Sequence, residues 1–148
     1  MTTRRNVAPG LHPARGAERQ NAMEDGMTEQ LLFRNLMSII PGHLDPFREA
    51  VLSAIAFVER HAPQLMVQTF IDEKAMQAVS IQLYRNSHDV LRHWQMSDAH
   101  IQDVSAHCTV ERLEVYGNPS EAVAKGLAPF VSDGRGFIMP SLTGFSRF

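Results

Sequence analysis

The sequence predicts an α+β fold of the ferredoxin-like type, in which a split β-α-β arrangement forms one antiparallel sheet. Extended segments and amphipathic helices alternate in the order β-α-β-β-α-β, with a further helix and strand at the C-terminal end. The first strand is apolar on both faces, so it needs cover from helices or from a partner subunit on each side. At 148 residues, the chain has room for a single core.

The first strand and the first helix follow one another closely. Leu31–Ile40 is too short for an independent helix and is closed by Pro41–Gly42, so we predict a strand. Asp45 is the predicted N-cap of the first helix, with Pro46 at its first position, where a missing N–H is harmless. Apolar residues then recur at helical spacing until Ala62–Pro63 ends the helix.

A hairpin and two short helices come next. Gln64–Phe70 and Gln77–Tyr84 are predicted strands joined by a polar turn. Ser87 is the predicted cap of the helix that carries Trp94, and Ala99–Cys108 is predicted as another short helix.

The last part of the chain completes the sheet. Val110–Tyr116 alternates in polarity and is predicted as the fourth strand. Asn118 and Glu121 form a predicted capping box that opens a helix to about Leu127. Phe137–Met139 is predicted as a fifth, short strand.

Three parts follow from these elements. Residues 1–28 are interpreted as a disordered tail or as codons upstream of the true start, since their first 22 residues hold four arginines and almost no apolar side chains. Residues 29–117 form the predicted core domain, and residues 118–148 an extension packed on the same domain or on a partner subunit. Because both core helices cover one face of the sheet, we expect a homodimer to close two sheets into a barrel.

Composition excludes several classes of protein. The net charge of −2 argues against a nucleic-acid partner, which usually requires a basic surface. No apolar run reaches the roughly 18 residues of a membrane span. A single cysteine, Cys108, rules out an internal disulfide and is typical of the cytoplasm, where we expect this protein.

The segment between Leu31 and Tyr116 resembles a known family. The residues that carry the resemblance are the strand closed by Pro41–Gly42, the Phe47–Val58 helix, the hairpin, and the stretch from Tyr84 through His93 to Ser97. With these features the chain resembles the antibiotic-biosynthesis-monooxygenase superfamily of dimeric α+β barrels. Members of this group oxidise quinols and polyketide phenols without a cofactor, degrade haem, or have no known reaction.

The haem-degrading members of the group offer a partial match. Asn35 lies seven residues before Gly42, as their strand asparagine does, and Trp94 opens the W-x-x-S-D sequence that they share. Their haem-ligating histidine follows that tryptophan by ten residues, where this chain has Val104. His100 and His107 lie one helical turn to either side. The match therefore lacks the iron ligand.

The expected site is a small, mostly apolar pocket between the sheet and the helices, lined by Phe33, Asn35, Phe57 and Trp94. Asn35 is the odd polar side chain on an apolar strand face, so it either lines the pocket or makes a structural hydrogen bond. Trp94 either closes the pocket over a flat ligand or belongs to the core.

The histidines are the candidate proton acceptors. His100 and His107 share a helix face with Asp103, which suits a general base as well as a solvated polar surface. These two histidines lie about 10 Å apart along the helix axis, too far for one metal ion, so no metal site is expected. His93 either donates a hydrogen bond into the pocket or lies on the surface beside Trp94.

The resemblance implies O₂-dependent oxidation of a small aromatic molecule such as a quinol, with the substrate anion supplying the electron and no cofactor. In that reaction Asn35 would bind a substrate oxygen, Trp94 would shape the cavity, and His100 or His107 would take the phenolic proton. Phe33, Phe57 and His93 would contact the substrate. The alternatives are a non-catalytic dimer that binds a small ligand or assembles with a partner, and a haem-degrading monooxygenase with haem as substrate.

Overall fold

The computed structural model describes residues 29–148, and the tail predicted at residues 1–28 lies outside them. The fold is α+β, as predicted, with a sheet covered by helices on one face. In chain order the elements are β1 Leu31–Ile39, α1 Leu44–His61, β2 Met66–Asp72, β3 Gln77–Tyr84, α2 Ser87–Met96, α3 Asp98–Ser105, β4 Cys108–Tyr116, α4 Glu121–Ser132 and β5 Gly136–Met139.

The strands form one five-stranded sheet in the order β2-β3-β1-β4-β5. The first four strands pair antiparallel, which confirms the predicted split β-α-β arrangement. The fifth strand pairs parallel with β4, so the sheet is mixed and not wholly antiparallel. The reason is α4, which carries the chain back along the sheet before β5 begins. The C-terminal extension thus adds one strand and one helix to the sheet.

The register places alternate side chains on opposite faces. Along β1, Leu31, Phe33, Met37 and Ile39 are buried beneath the helices. The outer face carries the intervening residues, and two of its apolar side chains are largely exposed: Phe70 is 56% exposed and Met139 is 53% exposed.

Two apolar clusters hold the helices on the sheet. One joins the start of β1 and the ends of β3 and β4 to α2 and α4. Its fully buried residues are Leu31, Phe33, Tyr84, Val90, Val115, Val123 and Leu127. The other joins the end of β1 and the start of β3 to α1 through Met37, Ile39, Phe47 and Ala78. The space between the two clusters is where the candidate site lies.

The helix caps differ from the predicted ones by one or two residues. Asn86, not Ser87, caps α2 by accepting a hydrogen bond from the Asp89 N–H, since its backbone is extended there. The Ser87 hydroxyl instead accepts a hydrogen bond from the Ser120 N–H. Local sequence does not distinguish neighbouring polar residues, because the path of the preceding loop decides which one turns towards the helix.

The other two predicted caps are also wrong. Ser120, not Asn118, caps α4 by accepting a hydrogen bond from the Val123 N–H. Helix α1 begins at Leu44, which places Asp45 in its first turn, and no side chain caps it. Helix α4 continues past Pro129 to Ser132, beyond its predicted end.

Candidate active site in the cavity beneath the helices

A cavity of about 150 Å³ lies between the sheet and helices α1, α2 and α3. Both walls mix polar and apolar side chains, with a polar row at the centre of the sheet wall and aliphatic residues concentrated on α1. The sheet side contributes Asn35, Met37, Val67, Thr69, Ser80, Gln82, Cys108 and Val110. The helices and the loop after α1 contribute Val51, Ala54, Ile55, Val58, Gln64, His93, Ser97, His100, Ile101, Val104 and Ser105. None of these lining residues is an aspartate, glutamate, lysine or arginine.

The centre of the sheet wall is a row of polar side chains on three neighbouring strands. The register pairs Ser80 with Asn35 on one side and with Thr69 on the other, so all three point towards the helices. The Asn35 Oδ1 is buried and has no hydrogen-bond partner among the described residues. Such an unpaired acceptor costs about 1–3 kcal/mol of stability, which a ligand donating a hydrogen bond there would recover.

Two glutamines extend this polar wall towards one end of the cavity. The Tyr84 hydroxyl donates to Gln82 Oε1 at 2.6 Å, and Gln64 Nε2 donates to the same oxygen at 3.2 Å. Gln82 Nε2 in turn donates to Ser80 Oγ at 3.3 Å. Burial raises the pKa of Tyr84, so this phenol is a fixed hydrogen-bond donor and not an ionising group. Gln64 Oε1 is buried and unpaired within the described part of the chain.

His93 is the ionisable group most deeply embedded in the wall. It is 6% exposed, and its Nδ1 lies 2.9 Å from Ser97 Oγ. Burial lowers the pKa of His93 from 6.5 to about 4, so the imidazole is neutral at neutral pH. When Nδ1–H donates to Ser97, the lone pair of Nε2 is free to accept a proton. The arrangement is that of a neutral general base held in one orientation.

Ser97 reaches His93 because two helices meet at this residue. It closes α2 and precedes α3, and its side chain makes no capping hydrogen bond to α3. The hydroxyl therefore turns back by one helical turn to the imidazole.

His100 also lines the cavity, from the first turn of α3. Its ring stacks on Phe57 with centroids 4.6 Å apart, and Phe57 in turn contacts His61 at 4.9 Å. Phe57 is thus a support behind His100 and does not line the cavity itself.

The structure places three other predicted site residues away from the cavity. His107 Nδ1 lies 3.1 Å from His43 Nδ1, beyond the end of β1. The Phe33 ring packs edge-on against Tyr84 in the first cluster. Trp94 packs on the same cluster and lies against Gly126 of α4. Consecutive helix residues point about 100° apart, so His93 faces the cavity while Trp94 faces α4.

Sequence reasoning missed several residues that line the cavity. Ser80 and Gln82 stand on one face of a predicted strand with Tyr84, so their alternation carried a usable signal. No signal in the sequence pointed to Gln64 or Ser97. Gln64 lies in a loop and Ser97 at a helix junction, and only the tertiary fold brings them to the same cavity. Val104, which occupies the position of the haem ligand in the family comparison, lines the cavity as an apolar side chain.

Comparisons with known proteins agree with this architecture. No family model and no curated protein matches the chain. Among solved structures, MupZ from Pseudomonas fluorescens is 18% identical, with a TM-score of 0.63 over 80% of this chain and 95% of that one. SnoaB, a cofactor-independent oxygenase from Streptomyces nogalater, is 17% identical, with a TM-score of 0.51 over 59% of this chain and 90% of its own.

A third similar structure belongs to a candidate antibiotic biosynthesis monooxygenase from Caulobacter crescentus. It is 13% identical, with a TM-score of 0.52 over 64% of this chain and 94% of that one. These likenesses show that the chain shares the α+β fold of these proteins, which confirms the predicted fold class. Within residues 29–148, no helix has both the length and the apolar character that crossing a bilayer requires.

Proposed function

We propose that this protein is a dimeric monooxygenase that oxidises a small electron-rich aromatic molecule with O₂ and without a cofactor. The observation that carries the proposal is the pairing of a buried neutral imidazole with an unpaired amide oxygen in one cavity whose described lining residues include no carboxylate, lysine or arginine. The fold shared with SnoaB, a cofactor-independent oxygenase, supports the same reaction class.

The roles of the residues follow from their positions. His93 Nε2 takes the proton of a substrate hydroxyl, while Ser97 keeps the ring oriented. The resulting anion transfers an electron to O₂, and recombination of the two radicals forms a C–O bond and a peroxide anion on the substrate. This anion takes the proton back from His93, and the hydroperoxide loses water to yield the quinone. Asn35 Oδ1 accepts a hydrogen bond from a substrate hydroxyl, and its Nδ2 donates one to a substrate oxygen or to the peroxide. His100 is the second candidate base, since it lines the same cavity.

An oxygen electrode measures this activity directly. We expect the protein to accelerate O₂ uptake by a panel of hydroquinones and to leave the same panel unchanged under anaerobic conditions. Asn35→Ala and His93→Gln should each lower kcat by at least 100-fold, since general bases and hydrogen-bond donors of this kind contribute about that much. His88→Gln, an exposed histidine on the same helix as His93, is the matched control. Equal rates for parent and Asn35→Ala would remove Asn35 from the chemistry.

The proposed dimer is formed through the outer face of the sheet. The side chains that alternate with the buried ones place Leu32, Leu36, Val79, Ile81 and Leu83 on this face. Exposed Phe70 extends the same apolar area towards the edge of the sheet. Covering such an area is favourable by about 25 cal/mol per Å² of apolar surface.

Sedimentation velocity tests the dimer. Ile81→Glu should shift the protein to a monomer, whereas Leu52→Glu, on the exposed side of α1, should leave the sedimentation coefficient of the dimer unchanged. A parent protein that sediments as a compact monomer at all concentrations would contradict the proposed assembly.

A non-catalytic protein that binds a small ligand in the same cavity is the second candidate function. The observation that favours it is the mainly hydrogen-bonding character of the polar wall, which binds a ligand without any reaction. Ligand binding to the parent protein, without O₂ uptake by any member of the panel, would establish it. For haem degradation, a haemin titration that produces no Soret shift would dismiss that reaction.

A further inference from the structure

We infer that the cavity selects its ligand by charge: it takes up an uncharged molecule with oxygen atoms along one edge and rejects preformed anions. Proton transfer to His93 then takes place only after binding. That last step rests on the proposed monooxygenase function, whereas the selection by charge depends on the cavity alone.

The first support is where the fixed charges of the described residues lie. Arg34 and Glu114 form an ion pair on the outer face of the sheet, on the side opposite Asn35. Arg48 of α1 pairs with Glu73 in the exposed turn between β2 and β3, and Arg85 pairs with Asp89 at the start of α2. The walls of the cavity carry no lysine or arginine that an anion would require as a partner.

The second support is the protonation state of His93. Its imidazole is neutral at neutral pH because burial lowers its pKa to about 4. A carboxylate that entered this cavity would lose its hydration and meet amide, hydroxyl and imidazole groups, but no lysine or arginine among the described residues. Burial of an unpaired charge is so unfavourable that we expect a loss of affinity of at least 100-fold relative to a neutral ligand of the same shape.

The third support is the two-sided chemistry of the walls. Thr69, Ser80 and Asn35 form a continuous polar row across three strands, and the Asn35 Oδ1 accepts no hydrogen bond from the described residues. The opposite wall presents aliphatic side chains from α1 and α3, among them Ile55 and Val104, beside the imidazoles of His93 and His100. A flat ring with hydroxyl groups along one edge satisfies both walls.

Transfer of a proton from a bound substrate to His93 leaves the total charge of the cavity and its ligand unchanged. The O–H bond of a bound hydroxyl breaks, an N–H bond forms at His93 Nε2, and the electron pair of the broken bond stays on the substrate oxygen. The anion and the imidazolium are then created together as a pair. An anion that arrives from solution lacks this partner, which is why uptake and ionisation are separate steps.

Isothermal titration calorimetry under anaerobic conditions tests the selection. The probes are matched pairs of hydroxyarenes that differ only by a carboxamide or a carboxylate, beginning with 2,5-dihydroxybenzamide and 2,5-dihydroxybenzoate at pH 7. We expect the amide of each pair to bind at least 100-fold more tightly than the carboxylate. Equal or tighter binding of the carboxylates overturns the inference, and so does a failure of every neutral member to bind.

A charge introduced into the apolar wall supplies the converse test. Val58→Lys places an ammonium group in the cavity and should improve carboxylate binding by at least 10-fold, while Leu52→Lys, on the exposed side of the same helix, should have no effect. His100→Gln should keep the preference for the neutral ligand. If it instead abolishes the preference, His100 and not the uncharged wall sets the selection, and the inference fails.

These measurements do not depend on turnover. Charge selection without O₂ uptake would leave the inference standing and remove the proposed oxygenase activity. O₂ uptake together with equal binding of carboxylates and amides would support the oxygenase activity and overturn the inference about charge selection.

Discussion

Beneath α4 and one side of α2, the helix-covered face of the sheet is closely packed, whereas between the sheet and helices α1, α2 and α3 the same face borders a cavity. Leu31 and Phe33 of β1 contribute to the packed end, and Asn35, two residues further along, borders the cavity. At the packed end, the Trp94 ring lies against Gly126 of α4. The contrast shows that one strand face is packed at one end and borders a cavity at the other.

The neighbouring residues His93 and Trp94 belong to different ends of this face. The tryptophan supports the packed end, and the histidine enters the cavity wall. Their different roles follow from the pitch of the helix, since each points to a different neighbouring element.

Among the substitutions that distinguish the packed end from the cavity end, Trp94→Ala is expected to have the largest effect on stability. Removal of this ring leaves a void between α2 and α4 and should lower the free energy of unfolding by about 3 kcal/mol. Urea denaturation followed by circular dichroism measures the change. Trp94→Phe should recover part of the loss, and a change below about 1 kcal/mol would show that the packed end does not depend on this side chain.

The pH dependence of the free energy of unfolding tests the environment of His93 at the cavity end. The folded protein holds His93 with a pKa of about 4, below the ordinary value of 6.5, so the unfolded chain binds this proton more tightly. Stability is therefore fully present above about pH 6.5 and falls as the pH drops towards 4, by up to about 3 kcal/mol.

His93→Gln removes this contribution and is the control. Unfolding measured from pH 7.5 to pH 4 should show a steeper loss for the parent than for the variant. Parallel curves would mean that His93 titrates in the folded protein as it does in the unfolded chain.

Asn35→Leu is expected to stabilise the protein, whereas most substitutions of core residues destabilise it. The change removes an unpaired buried acceptor and should raise the free energy of unfolding by about 1–2 kcal/mol while weakening ligand binding. Asn35→Asp should act in the opposite direction on stability, because the cavity offers no fixed cation. A loss of stability in Asn35→Leu would indicate that the amide makes a structural hydrogen bond after all.

The smallest effect is expected at Gly126. An added Cβ would overlap Trp94 Cζ3, so the ring must move. Gly126→Ala gains helix propensity but overpacks the junction, with a net loss of about 1 kcal/mol. In a Trp94→Phe background the same change should be neutral or stabilising, because the smaller ring leaves room. Additive effects in this double-mutant cycle would contradict the contact.

How far the sequence predicted the fold can be seen at β1 and at the caps. The double-sided apolar pattern of residues 31–40 and the alternation of the hairpin were sufficient for the split β-α-β sheet. The caps at Asn86 and Ser120 and the parallel pairing of β5 were not accessible, because each depends on the direction in which the chain enters an element.

The candidate site was predictable only in part. Asn35, His93 and His100 line the cavity, and each stood out in the sequence as a polar or titratable group within an apolar pattern. Trp94 and His107 stood out equally, yet they contact Gly126 and His43, which lie 32 and 64 residues away along the chain. Periodicity shows which residues share a face, but it does not show which neighbour covers that face.

The sequence by itself determined the order of strands and helices and the polar interruption at Asn35, since both arise from local periodicity and side-chain polarity. Only the tertiary structure decided which histidines line the cavity, which serine orients His93, and where the tryptophan packs. The physical reason is that burial and hydrogen bonding depend on groups from distant parts of the chain, and these meet only once the helices have packed on the sheet.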